Sequence, residues 1–145
     1  MKALLAPLKE IGEYEKIQSL LKKGKEAVLL TGCVDSQKLH MIYGFNDGFD
    51  VKIIVTFSDL KARELMEDAR LYDRNVYYYP AKDLIFYQAD IHGNQLVKER
   101  IQVLRHVLGS EQVTIVTTFS ALMASQIPLD VWKKHIIDIS VGAIP

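Results

Sequence analysis

Cysteine is almost absent: Cys33 is the single thiol in 145 residues. That excludes an internal disulfide framework and any zinc site built on several thiolates, and it suits a reducing cytoplasm, where we expect the protein to reside. An excess of one charge is lacking too, since 18 Lys and Arg balance 18 Asp and Glu. Attraction of bulk charge to nucleic acid or to an anionic membrane is therefore excluded as a basis for binding. No apolar run approaches the roughly 20 residues of a membrane span. The apolar opening is cut short by Pro7, Lys9 and Glu10, so it reads as mature sequence and not as a signal peptide. Low-complexity tracts, internal repeats and linkers are missing. What remains, 49% hydrophobic and 25% charged, is the composition of one globular domain over residues 1–145, long enough to bury about two thirds of the surface its unfolded chain exposes.

The apolar pattern alternates between two periods. Tyr14, Ile17, Leu20 and Leu21 stripe an amphipathic leading helix within 1–26, stopped by Gly24. Ala27-Val28-Leu29-Leu30 reads as a short buried strand entering Thr31-Gly32. Leu39, Ile42 and Tyr43 then recur at helical spacing between Asp35 and Phe45, with Asp35 or Ser36 as a cap. The sequence repeats this order: a β-branched strand from Val51 to Phe57, then a helix striped by Ala62, Leu65, Met66, Ala69 and Tyr72 and capped by Ser58 or Asp59. Val76–Tyr79 makes a further strand, closed by Pro80. An irregular stretch from Ala81 to Asn94 precedes a helix with Val97, Ile101, Leu104 and Val107 on one stripe. Val113–Thr118 is a strand, Ala121–Ser125 a short helix, Pro128 a turn, and Ile136–Ile139 a last apolar strand. Strands alternating with helices of this length predict an α/β fold: a parallel sheet with right-handed crossovers and flanking helices. The chain stops just after an apolar run, and we expect it to be the N-terminal fragment of a longer protein.

A strand that runs through a glycine loop into a helix is where α/β proteins hold phosphates, because the free amides and dipole of a helix start favour an anion. Here that place is Gly32 to Leu39. Gly32 and Lys38 match the first glycine and the lysine of a phosphate loop, whereas Gln37 replaces its second glycine and Leu39 its magnesium-binding hydroxyl. Asp35 adds negative charge inside the loop. Gly32 and Lys38 are accordingly expected to be a vestigial, inactive cofactor loop, with no catalytic and no metal-binding residues in the domain. Cys33, near the helix start, is expected to be a small apolar filler. His40, His92, His106 and His135 have no metal-ligand spacing. Asp90 and His92, near Asp83 and Tyr87, lie in the longest irregular segment, where acid-base chemistry or plain turns are both compatible with the residue types. On a strand Tyr77 and Tyr79 take one face and Tyr78 the other, which favours packing over base stacking. Arg100, Arg105 and Glu99 read as a solvated helix face.

The strings Val28–Gly32, Tyr79-Pro80-Ala81-Lys82-Asp83-Leu84 with Tyr87, Arg100–Leu104, and Val113–Thr118 followed by Ser120-Ala121-Leu122 occur in an order and spacing that resembles one family. From about Ala27 onward the chain resembles the first part of the UvrB-like module at the N-terminus of bacterial transcription-repair coupling factors (Mfd). The resemblance implies a P-loop NTPase-like α/β unit over 27–145 of the degenerate UvrB domain 1a type, with the phosphate loop spoiled and the DNA-clamping hairpin of UvrB reduced. It further implies a non-catalytic scaffold in transcription-coupled nucleotide excision repair. UvrA would be recruited through a following subdomain, and DNA and RNA polymerase engaged by other domains of the parent. ATP and magnesium would serve the parent's motor domains, which make it a DNA-dependent ATPase that displaces stalled polymerase. The alternative is an active nucleotide-binding domain of the UvrB or helicase type.

Overall fold

The computed structural model describes residues 2–24, 27–81, 90–109 and 112–136. A short helix α1 (Lys2–Leu5) and a 3-10 turn (Ala6–Glu10) lead into α2 (Tyr14–Lys23). The expected stop holds: Gly24 adopts φ 63°, and its N–H bonds the carbonyls of Leu20 and Leu21. Next come α3 (Asp35–Phe45), β1 (Val51–Thr56), α4 (Asp59–Ala69), β2 (Val76–Tyr79), α5 (Asp90–Leu108), β3 (Val113–Thr118), α6 (Phe119–Met123) and α7 (Leu129–Lys134). Ser58 caps α4 as its sequence foretells, its Oγ accepting the Lys61 N–H at 3.2 Å.

The described strands form one parallel sheet in the order β1-β3-β2. Val51 lies beside Val113 and Thr56 beside Thr118, while Val76 lies beside Thr114. Alternation then sorts the side chains. Ile54, Val116, Val76 and Tyr78 turn to one face, where α3 supplies Leu39 and Tyr43 and α4 supplies Ala62 and Ala69. Tyr77, Tyr79 and Ile115 turn to the other, under Val103 of α5 and Ala121 of α6. The opposed directions of Tyr78 and its neighbours are those expected from the sequence. A third cluster, Leu8, Tyr14 and Phe45, fastens the leading helices to the end of α3.

Several expectations change. Ala27–Leu30 is not a strand among the described residues; Leu29 is 86% exposed. A four-residue apolar run specifies no pairing partner, so local pattern alone could not place it. The helix after the irregular stretch begins at Asp90, inside the segment assigned to loop, and α5 tolerates Gly93 at a cost of about 1 kcal/mol. Its buried line runs through Arg100 and Val103, whereas Val97 and Ile101 of the expected stripe are exposed. Arg100 is 6% exposed and not on a solvated face. Arg105 is exposed as expected. The short helix starts at Phe119 instead of Ala121, and Pro128 opens α7, which the apolar periodicity did not reveal. Ile136 is outside any strand, and Ile137–Ile139 fall outside the described residues.

Candidate functional site

The loop from Gly32 into α3 has part of the geometry that its sequence suggests. Gly32 takes φ 77°, a conformation that favours glycine, and α3 starts at Asp35 with its first amides directed out of the helix. The loop is not the extension of a central strand, however, because the residues ahead of Gly32 do not join the sheet. The lysine that a phosphate would use already has a partner. Lys38 Nζ donates to Asp35 Oδ1 at 2.7 Å, and Lys61 Nζ of α4 lies 3.9 Å from the other carboxylate oxygen. The carboxylate at the head of α3 thus supplies the anion that the helix dipole and Lys38 favour. The hydrogen bond from Lys38, then the charges of Lys38 and Lys61, hold the Asp35 carboxyl below its ordinary range. The same hydrogen bond and the Asp35 charge hold the Lys38 ammonium above its own.

Gln37 reinforces this occupancy. Where a phosphate loop needs a bare backbone, its side-chain Oε1 accepts the Val34 N–H at 3.4 Å. Leu39, in the place of the magnesium-binding hydroxyl, is 4% exposed and belongs to the core. Neither residue supplies what a phosphate loop uses at its position. Cys33 is half-buried.

The other candidates do not converge. His40 Nε2 lies 2.8 Å from the Leu4 carbonyl, His135 Nδ1 lies 2.8 Å from the Val131 carbonyl, and His106 stacks on Tyr77 with ring centroids 4.2 Å apart. No group of three His, Cys, Asp or Glu among the described residues can hold a metal ion. Asp83 and Tyr87 lie outside the described residues, and Asp90 and His92 are described only as backbone of α5. Arg63 lies over the Tyr78 ring at 4.5 Å, and the Tyr78 hydroxyl donates to Asp59 Oδ1 at 2.7 Å. Arg100 lies over the Tyr79 ring at 4.2 Å. Tyr78 and Tyr79 are both buried, so neither ring is presented to a base.

A concavity of about 360 Å³ opens at the opposite end of the sheet, among Lys9, Tyr43, Lys52, Asp73 and Gln112. Lys52, Asp73 and Gln112 stand at or just ahead of the strand starts, whereas α/β sheets bind ligands at their carboxyl ends. Sequence reasoning missed this cluster because its members are far apart in the chain and match no motif. Asp73 organises it: one carboxylate oxygen accepts the Asn75 N–H at 2.9 Å and the other accepts from Thr114 Oγ1 at 3.0 Å. Tyr43 stacks on Tyr72 with centroids 5.0 Å apart. Burial pushes the Tyr43 phenol up to about 12, opposed by the Thr114 hydroxyl and aided by the Asp73 charge. An unfolded chain ionises its tyrosines near pH 10. The phenol is therefore neutral in the fold over a range where it is charged in the unfolded chain, and stability should fall as pH rises from about 10 to about 12. Denaturant titrations across that range should show a shallower fall for Tyr43→Phe than for the unaltered chain.

No family model and no solved structure matches the chain. Among curated proteins it is 25% identical to a transcription-repair-coupling factor of Staphylococcus epidermidis over 146 residues, covering 98% of this chain and 12% of that relative. The Bacillus subtilis transcription-repair-coupling factor is 25% identical over 138 residues, 93% of this chain and 12% of its own length. One from Staphylococcus aureus is 21% identical over 145 residues, again 98% and 12%. The chain thus spans about an eighth of the length of the curated relatives it matches. The resemblance carried by the short strings therefore holds along nearly the whole chain: it is similar to a small part of the transcription-repair-coupling factors.

Proposed function

We propose that this chain is the N-terminal, non-catalytic piece of a transcription-repair coupling factor, a degenerate UvrB-like unit. In this reading it serves as scaffold for UvrA recruitment by a following subdomain, while other domains of the parent engage DNA and RNA polymerase and spend the ATP. One observation supports the non-catalytic part: Asp35, the first residue of α3, pairs its carboxylate with Lys38 at 2.7 Å. A nucleotide phosphate would have to displace that carboxylate, displace the Gln37 oxygen from the Val34 amide, and bind magnesium without a hydroxyl at position 39. The similarity to coupling factors over nearly the whole chain supports the repair setting.

Titration with Mg-ATP tests the scaffold reading against an active nucleotide-binding domain. The expected dissociation constant is weaker than roughly 1 mM, and it should be unchanged in Lys38→Ala. A micromolar value lost in that variant would overturn the reading.

The recruitment part has its own test, capture by immobilised UvrA. The 145-residue chain should not be retained, and one extended through the next subdomain should be, because a stable contact needs about 1,000 Å² or more of buried interface. Equal retention of the two would place the UvrA surface inside this domain.

A further inference from the structure

Residues 2–24 hold to the rest of the domain by little. Their backbone hydrogen bonds, among the described residues, all close within the segment itself, and the ion pair of Glu13 with Lys16 is internal as well. Apolar attachment runs through a core of its own, Leu8 and Tyr14 against Phe45 with Met41 beside them, and Leu5 is the residue of the segment that also reaches the main core. Much of the fastening falls on one glycine. Leu8 occupies the space that a side chain at Gly44 would fill. The Gly44 carbonyl, in the last turn of α3 where carbonyls lack intrahelical partners, accepts from the Tyr14 hydroxyl at 2.8 Å. Gln18 Nε2 reaches the same carbonyl at 3.5 Å, and His40 Nε2 meets the Leu4 carbonyl.

The tether is equally spare. Between Ala27 and Cys33 no backbone-to-backbone hydrogen bond forms among the described residues, and Leu29 and Leu30 are exposed. A helix of ten residues such as α2 is marginal by itself, so the segment is ordered by what it rests on and is released as a whole when that contact is lost. Cooperative units with few buried apolar contacts open far below the cost of global unfolding. We infer that residues 2–24 are a releasable clasp, which lifts off α3 as one unit while the sheet stays folded. Leu5, Lys9 and Tyr14 of the clasp line the concavity of about 360 Å³ together with Tyr43, Tyr72 and Asp73 of the body. The clasp is thus a movable wall of that concavity, and its release bares the Gly44 notch together with Met41 and Phe45.

Amide hydrogen exchange on the full chain, resolved by residue and followed in sub-denaturing urea, is the test. The amides of Gln18 to Lys23, bonded inside α2, should be protected at least about 100-fold less than those of Thr114 to Val116 in the central strand. Their exchange should rise weakly with urea, because opening the clasp exposes little surface, whereas exchange in β3 should rise steeply. Leu8→Ala lies outside α2 and should speed all of its amides together by at least about 30-fold, which separates release of the unit from fraying of one helix end. Val103→Ala, on the opposite face of the sheet, should speed exchange at Thr114 to Val116 by about tenfold or more and leave α2 within about threefold. Equal protection and equal urea slopes in α2 and β3 would make the leading helices part of one cooperative fold and overturn the inference. So would an α2 that follows β3 in Val103→Ala, or one indifferent to Leu8→Ala.

Discussion

Arg100→Ala is expected to destabilise the domain by about 3 kcal/mol, lowering the melting temperature by roughly 10 °C for a chain of this size. The guanidinium is buried, donates from Nη1 to the Pro80 carbonyl and lies 4.2 Å from the centre of the Tyr79 ring. Truncation leaves the carbonyl of a fully buried proline without its partner, at about 1–3 kcal/mol. It also removes a partly desolvated cation–π contact worth about 0.5–2 kcal/mol. Burial and the neighbouring ring act in opposite directions on the guanidinium: burial lowers its pKa, and the Tyr79 phenol raises it. Arg100→Lys keeps a cation over the ring and loses the planar donor, so it should recover about half of the deficit. Arg105→Ala, on an exposed position of the same helix, should stay within about 0.5 kcal/mol of the unaltered chain. Denaturant unfolding of the three variants checks this order; an Arg100→Ala midpoint equal to that of Arg105→Ala would remove the structural role assigned to the buried guanidinium.

Gly44→Ala should change sign with its background. Gly44 lies in α3, and a methyl group on it would overlap Leu8 Cδ1 and touch Leu8 Cγ. Leu8 is 4% exposed, in a cluster where the Tyr14 hydroxyl donates to the Gly44 carbonyl at 2.8 Å. In the unaltered chain the added methyl pushes Leu8 off α3 and should cost about 1–3 kcal/mol, the usual range for overpacking. The loss should concentrate in the leading helices. With Leu8→Ala already present, itself costing about 2–5 kcal/mol, the methyl meets open space. Alanine in place of glycine inside a helix then stabilises by about 0.5–1 kcal/mol. A double-mutant cycle read by denaturant unfolding gives the interaction energy directly. Additive effects of the two substitutions would mean that the leading helices do not rest on Gly44.

The elements themselves were legible where sequence carries its own boundary. Gly24 ends α2 because only a glycine takes its left-handed conformation readily, and Ser58 starts α4 because a hydroxyl there satisfies a free amide. The α/β class and the parallel pairing followed from alternating periods of two and 3.6. That Gln37 and Leu39 depart from the phosphate-loop pattern is read from the sequence alone, whatever the fold.

Partnership was not legible, because it depends on residues far apart in the chain. That Asp35 binds Lys38 is a local i,i+3 event, but Lys61 joins them only because α4 packs beside α3. Arg100 reads as a surface residue until Pro80 and Tyr79 are placed under it. Asp73, Thr114 and Tyr43 mean nothing to one another along the sequence and form one cluster at the base of the sheet. Ala27–Leu30 marks the limit most sharply. Its composition determines that the run is apolar, and only the tertiary structure decides whether an edge is available for it, because a strand is defined by its neighbour's hydrogen bonds and not by its own residues.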